Sequence, residues 1–333
     1  MKEKNKYFQM VRGLCIIFVI LIHCVSGTKY AGDSMNFHAW MLGRTAIGIA
    51  VPLFFAMSGY FSSYKKNKLF DLRLLVPFLV WSVIYGVYLV FKLGVDNVLS
   101  LKGIIKTFTG QNASHLYFVF VLLQIRLLLP IFNRYKNSTK MLCFILIMSG
   151  AWYAMYYITE VLKLIPWLSI RYADLFPTWI LYWYVGYYLK NNDVLIKINK
   201  KLLITLTVVS FLVTVVESYV FNFYVDGISA VTQLKLSNVL YCLCVILLVF
   251  KCERDVTKLK LLSWLGDNSY GVYYIHYFMV FLFEKNIYTY MKTSSIFVVH
   301  IAELIFVMMG TLLIIKAIHL IFKRNISSKL FGC

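Results

Sequence analysis

The chain of 333 residues is 61% hydrophobic and only 14% charged, with 34 basic residues against 14 acidic ones and a formal net charge of +20. Soluble domains carry about 25% charged residues, so this composition excludes an ordinary soluble enzyme. It also excludes nucleic-acid binding as the meaning of the charge, because the basic residues punctuate apolar runs of bilayer length.

Those runs predict an all-α, polytopic membrane protein of about ten transmembrane helices, over 8–27, 40–61, 74–92, 115–133, 141–160, 175–190, 201–220, 236–251, 269–285 and 295–322. The sixth is short, the tenth is long, and the eighth has an earlier start available near Ser229. The first is read as a membrane helix rather than a cleaved signal peptide: its apolar stretch is too long, it holds Arg12 and His23, and no small-x-small site comes after it. With a cytoplasmic N-terminus, the loops on that side collect Lys65, Lys66, Lys68 and Arg73, then Lys197, Lys200 and Lys201, then Lys251, Arg254, Lys258 and Lys260. The opposite loops hold fewer basic residues, among them Lys163, Arg171 and Lys235. This bias predicts both termini cytoplasmic. No loop is long enough for a soluble domain and no internal repeat is visible, so 1–333 reads as one membrane domain. The longest outer connection, about 93–114, has a Lys/apolar pattern over Leu101–Phe108 that suits a short interfacial helix as well as a plain loop.

Arg12 and His23 stand inside the first apolar run. A centrally placed Arg costs about 2.5–3.5 kcal/mol on insertion scales, so an ionisable group there is a functional-site hypothesis by default. Eleven residues return to within about 20° of the starting face and rise about 16 Å, so the two residues share one stripe of one helix. Arg12 alone suits a snorkelling anchor or an anion clamp. His23 suits a general base or a histidine satisfied by a neighbouring helix. In the second run, Pro52 frees a backbone carbonyl, Ser58-Gly59 permits close helix approach, and Arg44 reaches either the outer interface or a central cavity. Lys65–Pro77 is a basic entry to the third helix, explained by phosphate binding or by loop charge bias alone. Near the C-terminus, Gly266 and Asn268-Ser269 read as a turn and helix N-cap, with His276 seven residues on, on the face of Ser269. His300 and Glu303 read as a structural pair, and Lys316 and His319 as interfacial anchors. The seven cysteines form no CxxC pair and read as small buried hydrophobes, so no disulfide framework or metal site is expected. Glycine-rich phosphate loops, HExxH and GxSxG are absent from the sequence.

Arg12-x10-His23, Pro52-Leu-Phe-Phe-Ala-Met-Ser-Gly-Tyr60 and Ser269-Tyr-Gly-Val-Tyr-Tyr-Ile-His276 resemble, in order and spacing, the acyltransferase family 3 membrane proteins. Arg73 ahead of Pro77, His115-Leu-Tyr117 and Tyr182-Trp-Tyr-Val-Gly-Tyr-Tyr188 look like further blocks of that family. The resemblance spans about 10–280. It implies a ten-helix membrane-bound O-acyltransferase that takes an acyl group, usually acetyl, from cytoplasmic acyl-CoA to a hydroxyl of a carbohydrate. The family's essential Arg and His carry over to Arg12 and His23. The family's Arg-x2-Arg pair before the third helix is matched at Arg73 only, since Phe70 takes the first position and Lys68 is the nearest substitute. Arg126 has no counterpart. No esterase-like extracytoplasmic domain is attached.

On this reading His23 and Arg12 are expected to be catalytic, Arg12, Lys68 and Arg73 to hold the acyl-CoA, and Arg44, Ser269 and His276 to meet the acceptor or shape its cavity. Acetyl-CoA serves as donor substrate, with no resident cofactor and no metal. The acceptor is a cell-surface polysaccharide or its lipid-linked precursor, and the location is a bacterial plasma membrane, with envelope-biosynthesis proteins as further partners. A transporter or flippase, or a ligand-binding membrane module, would use the same polar cavity.

Overall fold

The structure, a computed structural model, describes residues 5–31, 34–64, 72–253 and 259–333. Lys68, together with the predicted loop charges Lys65, Lys66, Arg254 and Lys258, lies outside the described residues. Within them every regular element is helical. In chain order these are α1 (Lys6–His23), α2 (Met35–Ile47), α3 (Ala50–Tyr60), α4 (Leu72–Leu93), α5 (Val95–Leu99), α6 (Leu101–Phe108), α7 (Tyr117–Leu127), α8 (Leu129–Arg134) and α9 (Thr139–Tyr156). They continue with α10 (Phe176–Asn191), α11 (Val194–Lys197), α12 (Lys200–Tyr224), α13 (Leu236–Lys251), α14 (Lys260–Asn286), α15 (Tyr288–Met291), α16 (Ile296–Ile321) and α17 (Arg324–Leu330).

Seven segments among the described residues are long and apolar enough to cross a membrane: 6–29, 35–60, 72–92, 139–161, 200–224, 229–251 and 296–321. The predicted spans at 115–133, 175–190 and 269–285 are helices too, but α7 and α10 are short and α14 carries a polar stretch. Burial explains why α10 and α14 differ. Thr178–Tyr184 of α10 and Gly271–His276 of α14 are buried on every side, so neither helix needs an apolar face for lipid. By contrast, α16 exposes Phe297, Ile301, Ile305, Met309 and Leu313 at four-residue steps, which makes one lipid-facing stripe. The amphipathic segment in the 93–114 connection is a helix, α6, with Leu101, Ile104, Ile105 and Phe108 exposed.

Hydrogen bonds sort the loops between two ends of the bundle. At one end Tyr7 donates to the Val249 carbonyl (2.8 Å), Lys190 to that of Ser62 (2.5 Å) and Lys251 to that of Leu195 (2.6 Å). At the other Lys29 pairs with Glu284 (3.3 Å) and Tyr30 donates to the Ser294 carbonyl (3.1 Å).

Four local expectations are corrected. The second predicted span is two helices, broken at Gly48-Ile49. Pro52 has no N–H to offer the Gly48 carbonyl, and Gln233 donates to that carbonyl instead (2.8 Å), while Tyr241 donates to the Ala46 carbonyl (3.2 Å). The ninth helix begins at Lys260 and runs through the predicted turn at Gly266–Ser269. The first helix stops at His23 rather than near residue 27, with Cys24 extended. Lys235, expected in an outer loop, is 1% exposed and donates to Ser218 and to the Ala230 carbonyl (2.6 Å). The cysteines are all free; Cys15, Cys24 and Cys242 are buried as expected, whereas Cys143 is exposed.

The helix crossings that carry the architecture are made by glycines in reciprocal pairs. A Cβ on Gly13 of α1 would lie 2.0 Å from the Leu262 carbonyl oxygen of α14, and one on Gly266 of α14 would lie 1.8 Å from the Gln9 oxygen of α1. The same device joins α3 to α10. A Cβ on Gly59 would meet the Trp183 oxygen at 1.9 Å, and one on Gly186 the Ala56 oxygen at 1.9 Å. Helix association in lipid has little hydrophobic drive and relies on such close packing. Gly13→Ala or Gly266→Ala should therefore lower stability by about 1–3 kcal/mol or more. Gly43→Ala, with open space around it, should be neutral or gain up to about 1 kcal/mol; thermal melts of the detergent-solubilised variants distinguish the two classes.

Candidate active site

A cavity of about 610 Å³ lies between α1, α3, α4, α7 and α14. At the end where α1 begins it is faced by three guanidinium side chains, Arg12 from α1, Arg73 from α4 and Arg126 from α7, with Asp267 of α14 as the acid among its lining residues. The Arg12 guanidinium lies over the Phe61 ring at 5.1 Å, which holds a cation against the apolar wall. At the far end the lining is His23, His115, Tyr117 and Tyr273. One volume thus joins a cationic mouth to an imidazole floor.

The floor is a histidine cluster. The His23 ring is 5.5 Å from that of His276 and 6.3 Å from that of His115, and His115 and His276 are 5.0 Å apart, centroid to centroid. Tyr277 packs on His23 (5.3 Å) and on His115 (5.0 Å). His276 is 0% exposed, and its Nδ1 donates to the Tyr273 carbonyl at 2.7 Å. A carbonyl only accepts, so Nδ1 carries the proton and the neutral ring keeps its lone pair on Nε2, an atom with no hydrogen-bond partner among the described residues. His115 is 1% exposed, with neither ring nitrogen partnered among the described residues. Its backbone carbonyl accepts from Tyr273, which ties the turn before α7 to α14. Among the described residues no group of three or more His, Cys, Asp or Glu has the geometry to hold a metal ion.

His23 is the last residue of α1, and α16 fixes the extended segment after it. Glu303 accepts from the Val25 N–H (2.9 Å) and His300 bonds the Val25 carbonyl (2.9 Å). The expected bond between His300 and Glu303 is therefore replaced by a bracket around one extended residue. The backbone groups freed at the helix end are thus satisfied inside the bundle, as the bilayer requires.

Of the residues singled out from the sequence, Arg12, His23, Arg73 and Ser269 line the cavity. His276 stands directly behind the floor and does not line it. Arg44 does not line it either; it sits at the last turn of α2, within electrostatic reach of His23, Tyr117 and Cys24, with its Nη1 buried and unpartnered among the described residues. Lys68 is outside the described residues. Arg126 and His115 were not expected at the site, yet both line the cavity. Their signal was present in the chain: His115 and Arg126 are eleven residues apart, the spacing of Arg12 and His23, in reverse order. Since α7 runs opposite to α1, the reversal brings arginine to arginine and histidine to histidine. Ser328 and Gly332, after α16, close the wall near Tyr270. That tail is held by Trp81, whose Nε1 donates to the Phe331 carbonyl (3.1 Å).

A model of the acyltransferase domain of family 3 matches residues 5–319. The chain belongs to acyltransferase family 3. No curated protein and no solved structure matches it. The family, together with the apolar helices, makes this a multi-pass membrane protein of an acyl-transferring family, and the match leaves the tail segment 320–333 outside it.

The bracket on Val25 gives a test of what holds His23. Glu303→Leu leaves a buried N–H without an acceptor and should cost about 1–3 kcal/mol. Glu303→Gln keeps an acceptor oxygen and should recover most of that loss in the same melting assay.

Proposed function

We propose that this protein is a membrane-bound O-acyltransferase that moves an acyl group, in the first instance acetyl, from acyl-CoA to a hydroxyl of a cell-surface polysaccharide or its lipid-linked precursor, in a bacterial plasma membrane with both termini cytoplasmic. The observation that carries this reading is the single cavity with Arg12 at one end and His23, one stripe and about 16 Å along the same helix, at the other. Three arginines at the mouth suit a ligand with several phosphates, because guanidinium forks bind phosphate oxygens bidentately. Arg12, Arg73 and Arg126 would hold the phosphates and upper pantetheine of the donor, and Lys68, outside the described residues, is the further donor-binding residue that the sequence suggests. Phe54 and Phe118, which line the cavity between its two ends, would guide the thioester toward the floor.

In the transfer step His23 takes the proton of the acceptor hydroxyl as its oxygen attacks the thioester carbonyl. The C–S bond breaks, the proton returns to the departing sulfur, and the products are the ester and free CoA. His115, across the floor, is placed to donate to the carbonyl oxygen as charge develops there. His276 backs this pair, and Arg44 lies on the side of His23 away from the donor, where an acceptor would be met. Ser269 lines the donor path.

His23→Ala should lower transfer by about 10²-fold or more while the protein remains in the membrane. The readout is ester-linked acetyl on the purified surface polysaccharide, beside free thiol released from acetyl-CoA by membranes. Unchanged transfer in that variant would sink the assignment. Arg12→Gln should chiefly raise KM for the acyl-CoA, by about tenfold, the worth of one charge-assisted hydrogen bond.

A further inference from the structure

A second cleft, of about 600 Å³, opens between α14, α16 and α17. From the structure we infer that it binds the phosphate headgroup of an anionic membrane lipid. Its lining changes character along α16. Leu312, Ile315, Lys316 and His319 fall at three- and four-residue steps and so occupy one face, and all four line the cleft. Leu312 and Ile315 lie deeper in the bundle. Lys316 and His319 lie within the last two turns of the helix, which ends at Ile321. Arg324, at the start of α17, and Trp264, in the second turn of α14, complete the shallow end. The cleft is therefore apolar at depth and cationic at its rim, with an indole beside the cations.

That gradient matches one kind of molecule. A soluble phosphate would use the rim and leave the apolar floor uncovered, whereas a phospholipid fills both, its headgroup at Lys316 and Arg324 and a chain along Leu312. The cleft also sits where lipid is. Leu313 and Leu320 beside it on α16 are exposed apolar residues, and Trp is a residue of the membrane interface. Basic pockets between transmembrane helices recognise anionic headgroups in this way. One acid, Asp267, faces the cleft and also lines the larger cavity, so the lipid would lie one residue away from the arginine mouth.

The test is lipid retention by the purified full-length protein, read by native mass spectrometry after incubation with equal amounts of phosphatidylglycerol and phosphatidylcholine. The expected result is about tenfold preferential retention of phosphatidylglycerol, lost in the Lys316→Gln/Arg324→Gln double variant and unaffected by an excess of inorganic phosphate. Equal retention of the two lipids, or undiminished preference in the double variant, would overturn it. Displacement by inorganic phosphate would also overturn it, in favour of a soluble anion. If the double variant does not fold, Leu312→Trp, which fills the floor and leaves the charges in place, must remove the bound lipid to the same extent; retention there rejects the site.

Discussion

Everything at the site depends on the backbone contact between α1 and α14. With hydrogen alone at Gly13 and Gly266, Leu262 and Gln9 present their carbonyl oxygens where a Cβ would otherwise stand. Because the two helices touch there, Arg12 and His23 on one come to share a cavity with Ser269 and Tyr273 on the other, and His276 comes within ring contact of His23. The α3–α10 pair repeats the device, which fixes Ser58 and Phe61 at the cavity beside Arg12. Dispersion between closely apposed backbones is one of the few attractions available inside a bilayer, and it is steep with distance. A site assembled on such crossings is correspondingly intolerant of small changes far from its reacting atoms.

The positions of the long helices were legible because bilayer thickness sets a length that sequence displays directly. Their internal breaks were not. The interruption at Gly48 needs Gln233 and Tyr241, nearly two hundred residues away, to satisfy the freed carbonyls. The stretch Gly266-Asp267-Asn268-Ser269 carries turn chemistry, yet packing of Gly266 against Gln9 keeps it helical; local propensity is a weak prior beside tertiary contact. The end of α1 at His23 is set by side chains of α16. In the site, Arg12 and His23 could be read from one helix alone. The His115–Arg126 pair shows the same interval, but its meaning needs the knowledge that α7 is antiparallel to α1 and adjoins the same space.

Buried polarity by itself was a poor guide. Lys235 donates to Ser218, and Glu217 accepts from Tyr157 and Ser237, so that polar bonds tie α12 to the segments just after α9 and at the start of α13; none of these residues lines the cavity. Such a network satisfies itself and joins helices. The cavity is different in kind, because its polar side chains converge on open space and are ordered by type: guanidinium at the mouth, imidazole at the floor.

The tail after α16 lies outside the residues that the family model matches and contributes Ser328 and Gly332 to the cavity wall. Gly332 has φ +76°, and a Cβ there would lie 2.8 Å from the Tyr270 ring, so the hook is shaped to its seat. The two ends of the cavity are therefore built from separable parts of the chain. Substitutions in the residues after α16 would reshape the mouth without replacing any arginine or histidine of the cavity, so what the site admits can change while its floor stays the same.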